Sequence, residues 1–580
     1  MRKLCPRAPS VVLAVSLCLR VATLTSAQAQ PPTNSQTETI QGTVVNSVTH
    51  EPIGRALVYS SDQRFATMTD SEGHFAFTFP AASTAENNSG AKPSGSRVSH
   101  PASSRPEMLE ARKRGFLNSR RIKNLSGDKE LTISLTPKAV ITGRVVLPSS
   151  DAPDRIRVEL YQQWVQKGRA YWNPAGPMAT TRSNGEFRFA DLSSGTFKLL
   201  TRELQDNDPL TFERNGQLYG YPPVYFPNAK DFASAQTIQL TAGQTFQGAD
   251  ISLVRQAYYP VKVAVENLQN ELMMHLTVYA EDRGPGYELG YNRKEHAIVG
   301  TLPNGNYTLE VSTFEQPAFK GGTGLLNITV KGGPVGGPPL VVVPNGSIRV
   351  VVTEDFTTSD RPNGRPPNSQ LLIPHLDQNP SSEGAMGGPS SYLDITFEPD
   401  SVSFDPAEVT RRAGPEDKSL VIENVRPGRY WVRVDSRRGY PARITCGGVD
   451  LEHEPLVIGA GGSNTQIEVT MRDDGAEVNG TVDGMAKTAS DTGTSAAVYL
   501  IPVSDDGGDF REAQVSPEGK FNFEQVPPGL YEALAFDQPQ HALEYRNAET
   551  MRAYESRGQV VRLSPGQKEQ LRLQLISTSE

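Results

Sequence analysis

Two of the three tryptophans in this chain lie in one short stretch, YQQWVQKGRAYWNPAG at 161–176. Tyr161, Trp164, Tyr171 and Trp172 stand there among glutamines and cations, and YGYPPVYFP adds Tyr219, Tyr221 and Tyr225. Flat ring faces can stack on the apolar face of a sugar or peptide while neighbouring amides and charges take its polar edges. The seven aromatics are therefore the candidate ligand-binding residues, with a glycan as the first ligand class. Alternate rings along a strand also fill sandwich cores, and that packing reading stands beside the binding one.

Other chemistry is poorly supported. The eight histidines (His50, His74, His100, His275, His296, His375, His453 and His541) show neither H-x-x-x-H nor H-x-x-E-H spacing. A zinc-hydrolase site is accordingly not expected. The motifs G-x-S-x-G and G-x-x-x-x-G-K-[ST] do not occur, which removes the usual signatures of a nucleophile-elbow serine and a phosphate cradle. Asp505, Asp506 and Asp509 lack the alternation of a calcium loop. The reading expects no catalytic residue, no metal and no cofactor. Arg112, Lys113, Arg114, Arg120, Arg121 and Lys123 form a basic string, but the net charge is −8 and nucleic acid is not an expected partner.

The elements that must carry the aromatics are legible as a repeat. TDSEGHFAF at 69–77 returns as TRSNGEFRF at 181–189 and VSPEGKFNF at 515–523. Each copy places a glycine before two aromatics on alternate positions, the pattern of a turn feeding a half-buried strand. Further on come a second glycine turn and a ring: Gly195 and Phe197, Gly305 and Tyr307, Gly428 and Tyr430, Gly529 and Tyr531. A tyrosine just after such a turn has the spacing of a tyrosine corner, whose hydroxyl bonds back to upstream backbone. His74 fills a slot held by Glu186 and Lys520 in the other copies. A slot that accepts all three points to solvent. With 51 glycines and 44 prolines in 580 residues, the chain reads as all-β: a tandem array of about five Ig-like or transthyretin-like β-sandwiches.

Residues 40–77 resemble the start of a carboxypeptidase regulatory-like domain, a transthyretin-like sandwich grouped with starch-binding-like folds. Gly42, Val44, Pro52, Ile53, Ala56, Val58, Thr69, Asp70, Gly73, Phe75 and Phe77 carry the likeness, and Arg55 stands where the family commonly has glycine. The pattern restarts at ITGRVVLP from 141 and EVNGTVDG from 477. The resemblance implies a binding module, since the zinc peptidase domain that such modules accompany has no counterpart here.

The basic start, the apolar Val11–Leu19 stretch and Ala27-Gln28-Ala29 read as a signal peptide over 1–29. Cys446 is then the single cysteine of the mature chain, and no later run is apolar enough to span a membrane as a helix. The expected sandwiches run over 30–137 (with a disordered insertion at 81–128), 138–256, 257–345, 346–473 (with a long loop at 356–392) and 474–580. The functional expectation is an exported, non-catalytic binding or adhesion scaffold, periplasmic, outer-membrane-associated or extracellular, with a glycan or an envelope protein as partner. The alternative is an accessory or assembly protein of the envelope, associated with the outer membrane or with an enzyme.

Overall fold

A computed structural model describes residues 37–80, 108–119, 130–148, 152–166, 168–205, 216–268, 273–280, 284–314, 321–357, 393–399, 409–413, 419–436, 439–459, 461–463, 465–484, 496–503 and 510–577. Among them the regular structure is strand, apart from one α-helix, Ala548–Met551. The all-β tandem array is present. The signal-peptide span, most of the 81–128 insertion and residues 358–392 of the expected long loop lie outside the described residues.

The chain divides into two compact units, one drawn from 1–44, 52–111 and 120–133, the other from 45–51, 112–119 and 134–580. In the first, the strand Thr37–Asn46 lies between His74–Pro80 and Leu131–Leu135, and a second sheet orders Ala66–Met68, Leu57–Ser60 and Leu109–Arg112. Leu109 and Ala111 are fully buried. The 81–128 span is therefore not insertion throughout. A strand of four residues is too short for alternation to announce it.

The repeated phrase has one geometry wherever it occurs. Gly73, Gly185 and Gly519 adopt φ of 78°, 80° and 78°, which glycine takes at no steric cost. The alternate rings then meet edge to face: Phe75–Phe77 at 6.0 Å, Phe187–Phe189 at 6.0 Å and Phe521–Phe523 at 5.9 Å between centroids. The first ring of each pair sits opposite a glycine of the opening strand: Gly42↔Phe75, Gly143↔Phe187, Gly480↔Phe521. A Cβ on any of these glycines would run into that ring and into the carbonyl of Leu131, Ala249 or Leu571. His74 is exposed at the turn, beside Thr43 Oγ1. Arg55 has φ 54°, consistent with the family's glycine at that step.

In the second unit four sandwiches follow one plan, in which the opening strand pairs in parallel with the closing one. Ala139–Val146 takes Thr245–Phe246 and Ile251–Ser252, and Gln256–Glu266 takes Leu340–Val341. Gly346–Asp355 takes Ile467–Arg472, and Ala476–Asp483 takes Lys568–Ile576. The strand Leu218–Tyr221, placed by sequence in the second sandwich, pairs with Gln256–Glu266 and so extends the third.

The tyrosine corners form as the spacing predicts. Tyr307, Tyr430 and Tyr531 donate their hydroxyls to the carbonyls of Pro303, Arg426 and Pro527 at 3.0, 2.8 and 2.8 Å. Phe197 fills the same step fully buried and has no hydroxyl to donate.

Two sandwiches gain a third layer. The strands Gly195–Thr201, Ala497–Pro502 and Gly529–Phe536 are buried along nearly continuous runs rather than at every second residue, the mark of strands covered on both faces. In the second sandwich Tyr225, Phe232 and Ala235 close over Tyr161, Trp172 and Leu200. In the fifth, Leu543 and Met551 close over Tyr499, Leu534 and Phe536. The short helix there is capped by Asn547, whose side chain accepts from the Glu549 and Thr550 amides.

Candidate ligand-binding surface on the second sandwich

The hairpin Arg157–Gln166 and Arg169–Pro174 carries four of the seven candidate aromatics. Its pleat decides their fates. Tyr161 and Trp172 turn inward, and each meets Phe232 edge to face, at 5.4 and 5.7 Å. Tyr225 completes the group at 5.9 Å from the same ring and sends its hydroxyl to the Pro285 carbonyl at 2.8 Å. Tyr221 is buried in the main core.

A cation already occupies this aromatic box. Lys198 Nζ lies 5.0 Å from the Trp172 ring centre and 4.8 Å from that of Phe232. It also donates to the carbonyls of Phe232 and Ala233 at 2.7 and 3.2 Å. Burial holds this amine below the ordinary lysine range, while the Asp231 carboxylate opposes that shift. Desolvation likewise drives the Tyr161 and Tyr225 hydroxyls well above the usual phenol range. The inner rings thus present their faces to the protein's own lysine.

Trp164, Tyr171 and Tyr219 remain outward or partly so. Trp164 is 50% exposed and stands opposite Tyr171 across the hairpin. Tyr219 sits on another sheet, opposite Ala257, with the Arg255 guanidinium 4.4 Å from its ring centre. The hairpin is therefore the one part of the seven-residue set that offers two neighbouring rings on an outward face.

The same hairpin also fastens the second sandwich to later ones. Gln163 Nε2 donates to Glu544 Oε1 at 3.0 Å, and the Gly168 carbonyl accepts from the Arg546 amide at 3.2 Å. Gly168 faces the Tyr545 ring so closely that a Cβ there would clash, and Tyr545 stacks on Phe510 at 4.2 Å. Arg169 lies 4.5 Å from the ring centre of Trp431 in the fourth sandwich. Neither Trp431 nor Tyr545 belongs to the seven-residue candidate set. Trp431 did carry a signal: it alternates with buried Tyr430 and Val432, and a large ring on the outward register needs a cover.

Among the described residues, Asp450, Glu452 and His453 bring three metal-capable side chains within 4.8 Å of one another. They lie on a surface turn where His453 Nδ1 is 3.0 Å from Asp450 Oδ2. Cys446 is partly buried, which pushes its thiol upward, away from the thiolate.

No protein-family model and no curated protein matches the chain. Among solved structures it is similar to the Bacillus anthracis TIE protein, at 11% identity and TM-score 0.15 over 76% of this chain and 74% of that one. It is similar to a streptococcal ancillary pilin, at 13% identity and TM-score 0.19 over 58% and 99%. A DUF3823 family protein from Parabacteroides merdae aligns at 12% identity and TM-score 0.12 over 31% and 91%. At such values the likeness carries no functional inference.

Proposed function

We propose that the chain is an exported, non-catalytic scaffold of β-sandwiches that holds a binding surface in fixed orientation, with carbohydrate as the first ligand class. The observation that carries this reading is the 157–174 hairpin. The hairpin engages Trp431, Glu544 and Tyr545 of other sandwiches, while Trp164 stays half exposed beside Tyr171. A hairpin backbone held by these contacts is pre-organised, and pre-organisation lowers the entropic cost of capturing a ligand. Export rests on the 1–29 signal pattern, and no helix among the described residues is long and apolar enough to cross a membrane. The carboxypeptidase regulatory-like reading of 40–77 rests on its quoted residues, with the Gly42–Phe75 register in its favour.

The non-catalytic reading rests on how the reactive side chains are used. Lys198 is caged by rings and carbonyls, His74 faces water, and the buried tyrosine hydroxyls of the corners serve backbone carbonyls. The test is a glycan array with the full mature chain, repeated with Trp164→Ala. Saturable binding lost in the variant supports the reading. Absent glycan binding, with capture of a defined envelope protein instead, moves the function to the accessory class.

A further inference from the structure

The joint between the second and third sandwiches is built from charges, and the charges do not balance. Arg202 reaches Glu159 at 2.9 Å and Glu288 at 2.6 Å, while Arg157 reaches Glu288 at 3.2 Å. Two guanidiniums thus serve two carboxylates, and Glu203 is a third. Its Oε1 accepts the Glu288 amide at 2.7 Å, but its Oε2 is sealed from solvent with no hydrogen-bond partner. From the third sandwich the Tyr258 hydroxyl is also buried without a partner, and its titration feels the Glu203 charge. An open groove of about 490 Å³ borders the cluster, lined by Arg155, Arg157, Glu203, Gln205, Glu288 and Gly290.

Chain connectivity puts Glu203 on the crossing itself. Its amide donates to the Gly286 carbonyl at 3.2 Å, and the adjoining Leu204–Gln205 pairs with Leu218–Tyr221, which belongs to the third sandwich's sheet. The joint between the third and fourth sandwiches uses different chemistry. There, Asn424 Oδ1 accepts from the Gly321 amide and from Asn345 Nδ2, both at 2.9 Å. Neither of these two bonds involves a titrating group.

We propose that the second–third joint is a proton-controlled hinge, closed when Glu203 is protonated and loosened when it ionises. A neutral carboxyl leaves no charge on the buried Oε2, whereas an ionised one adds an unpaired charge there. The groups facing it are Arg157 and Glu159 from the hairpin strand, Arg202 on its own segment, Glu288 and Tyr287 from 284–289, Tyr258 from Gln256–Glu266, and Tyr307 from Gly305–Phe314. Burial first, and the Glu288 charge with it, lift Glu203 to about 7 against the Glu288 amide and the two arginines. The carboxyl is raised on docking, so its contribution is complete below about pH 4.5 and is lost as pH rises to about 7.

The test is Förster transfer between dyes at Ser183→Cys and Leu325→Cys in the full mature chain, residues 30–580, carrying Cys446→Ser. The docking equilibrium is read across a urea series at each pH. Docking should weaken about tenfold or more between pH 5 and 7.5, and Glu203→Gln should abolish that dependence. An unchanged equilibrium in the Glu203 protein, or a pH dependence that survives Glu203→Gln, overturns the hinge. Carbon-detected NMR of the Glu203 carboxyl provides a test without that substitution: a midpoint near 4.5 also overturns it.

Discussion

Tyr531→Phe isolates one hydroxyl in an otherwise unaltered core. The ring is fully buried and its hydroxyl donates to Pro527 at 2.8 Å, in a bond that is itself buried. Removing the donor loses a net hydrogen bond and leaves a carbonyl without its partner, a cost of about 1–3 kcal/mol. The ring itself survives the change, so no cavity of ring size opens. Phe197, fully buried at the matching step of the second sandwich, shows that ring and hydroxyl are separable. Tyr307→Phe should cost a similar amount at its buried bond, and Tyr430→Phe less at its part-buried one. A global melt mixes several sandwiches, so the assay is native-state hydrogen exchange on the amides of Gly529–Phe536. A Tyr531→Phe protein within about 0.3 kcal/mol of wild type would refute the reasoning, because net values for such bonds cluster near 1 kcal/mol.

Gly143→Ala should destabilise the second sandwich by about 1–3 kcal/mol or more, since the new methyl meets both the Phe187 ring and the rigid Ala249 carbonyl. Trimming the ring with Phe187→Leu should not restore stability, and urea unfolding followed by exchange at residues 139–146 checks both. Trp172→Ala should cost about 3–5 kcal/mol as a core truncation, while Trp164→Ala should stay within about 0.5 kcal/mol by urea unfolding. A glycan-binding loss in the Trp172 variant would therefore report unfolding. Asn424, at φ 61°, allows a split of backbone from side chain at the third–fourth joint. Asn424→Gly should loosen that joint by about 1–2 kcal/mol through lost hydrogen bonds, and Asn424→Ala by more through added strain. Both effects should be constant from pH 5 to 8 by exchange at Gly321 and Gly322.

The local geometry was legible because it depends on neighbours in sequence. Alternation placed Phe75, Phe187 and Phe521 inward and His74 outward, and turn spacing placed the three tyrosine hydroxyls. The aromatic set was only partly legible. Composition drew attention to Tyr161, Trp172 and Tyr225, but their environment is made by Phe232 and Lys198 from elsewhere in the chain. One signal was present and unused: AVYLI at 497–501 and ALAF at 533–536 are apolar on both registers, which asks for a cover on each face. The joint at Glu203 had no local sign. Arg202 and Glu288 are far apart in sequence, and only folding makes them neighbours.

The parallel pairing of opening and closing strands has a mechanical consequence. In the fourth sandwich it runs from Val350↔Ile467 to Asp355↔Arg472, and in the fifth from Glu477↔Lys568 to Asp483↔Gln574. Chain entering one such strand and leaving the other does so at opposite ends of the pair. Tension along the polypeptide therefore slides the two strands past each other, and the rungs resist together instead of opening one by one. A tether made of such units transmits a pull through each sandwich while keeping its folded length.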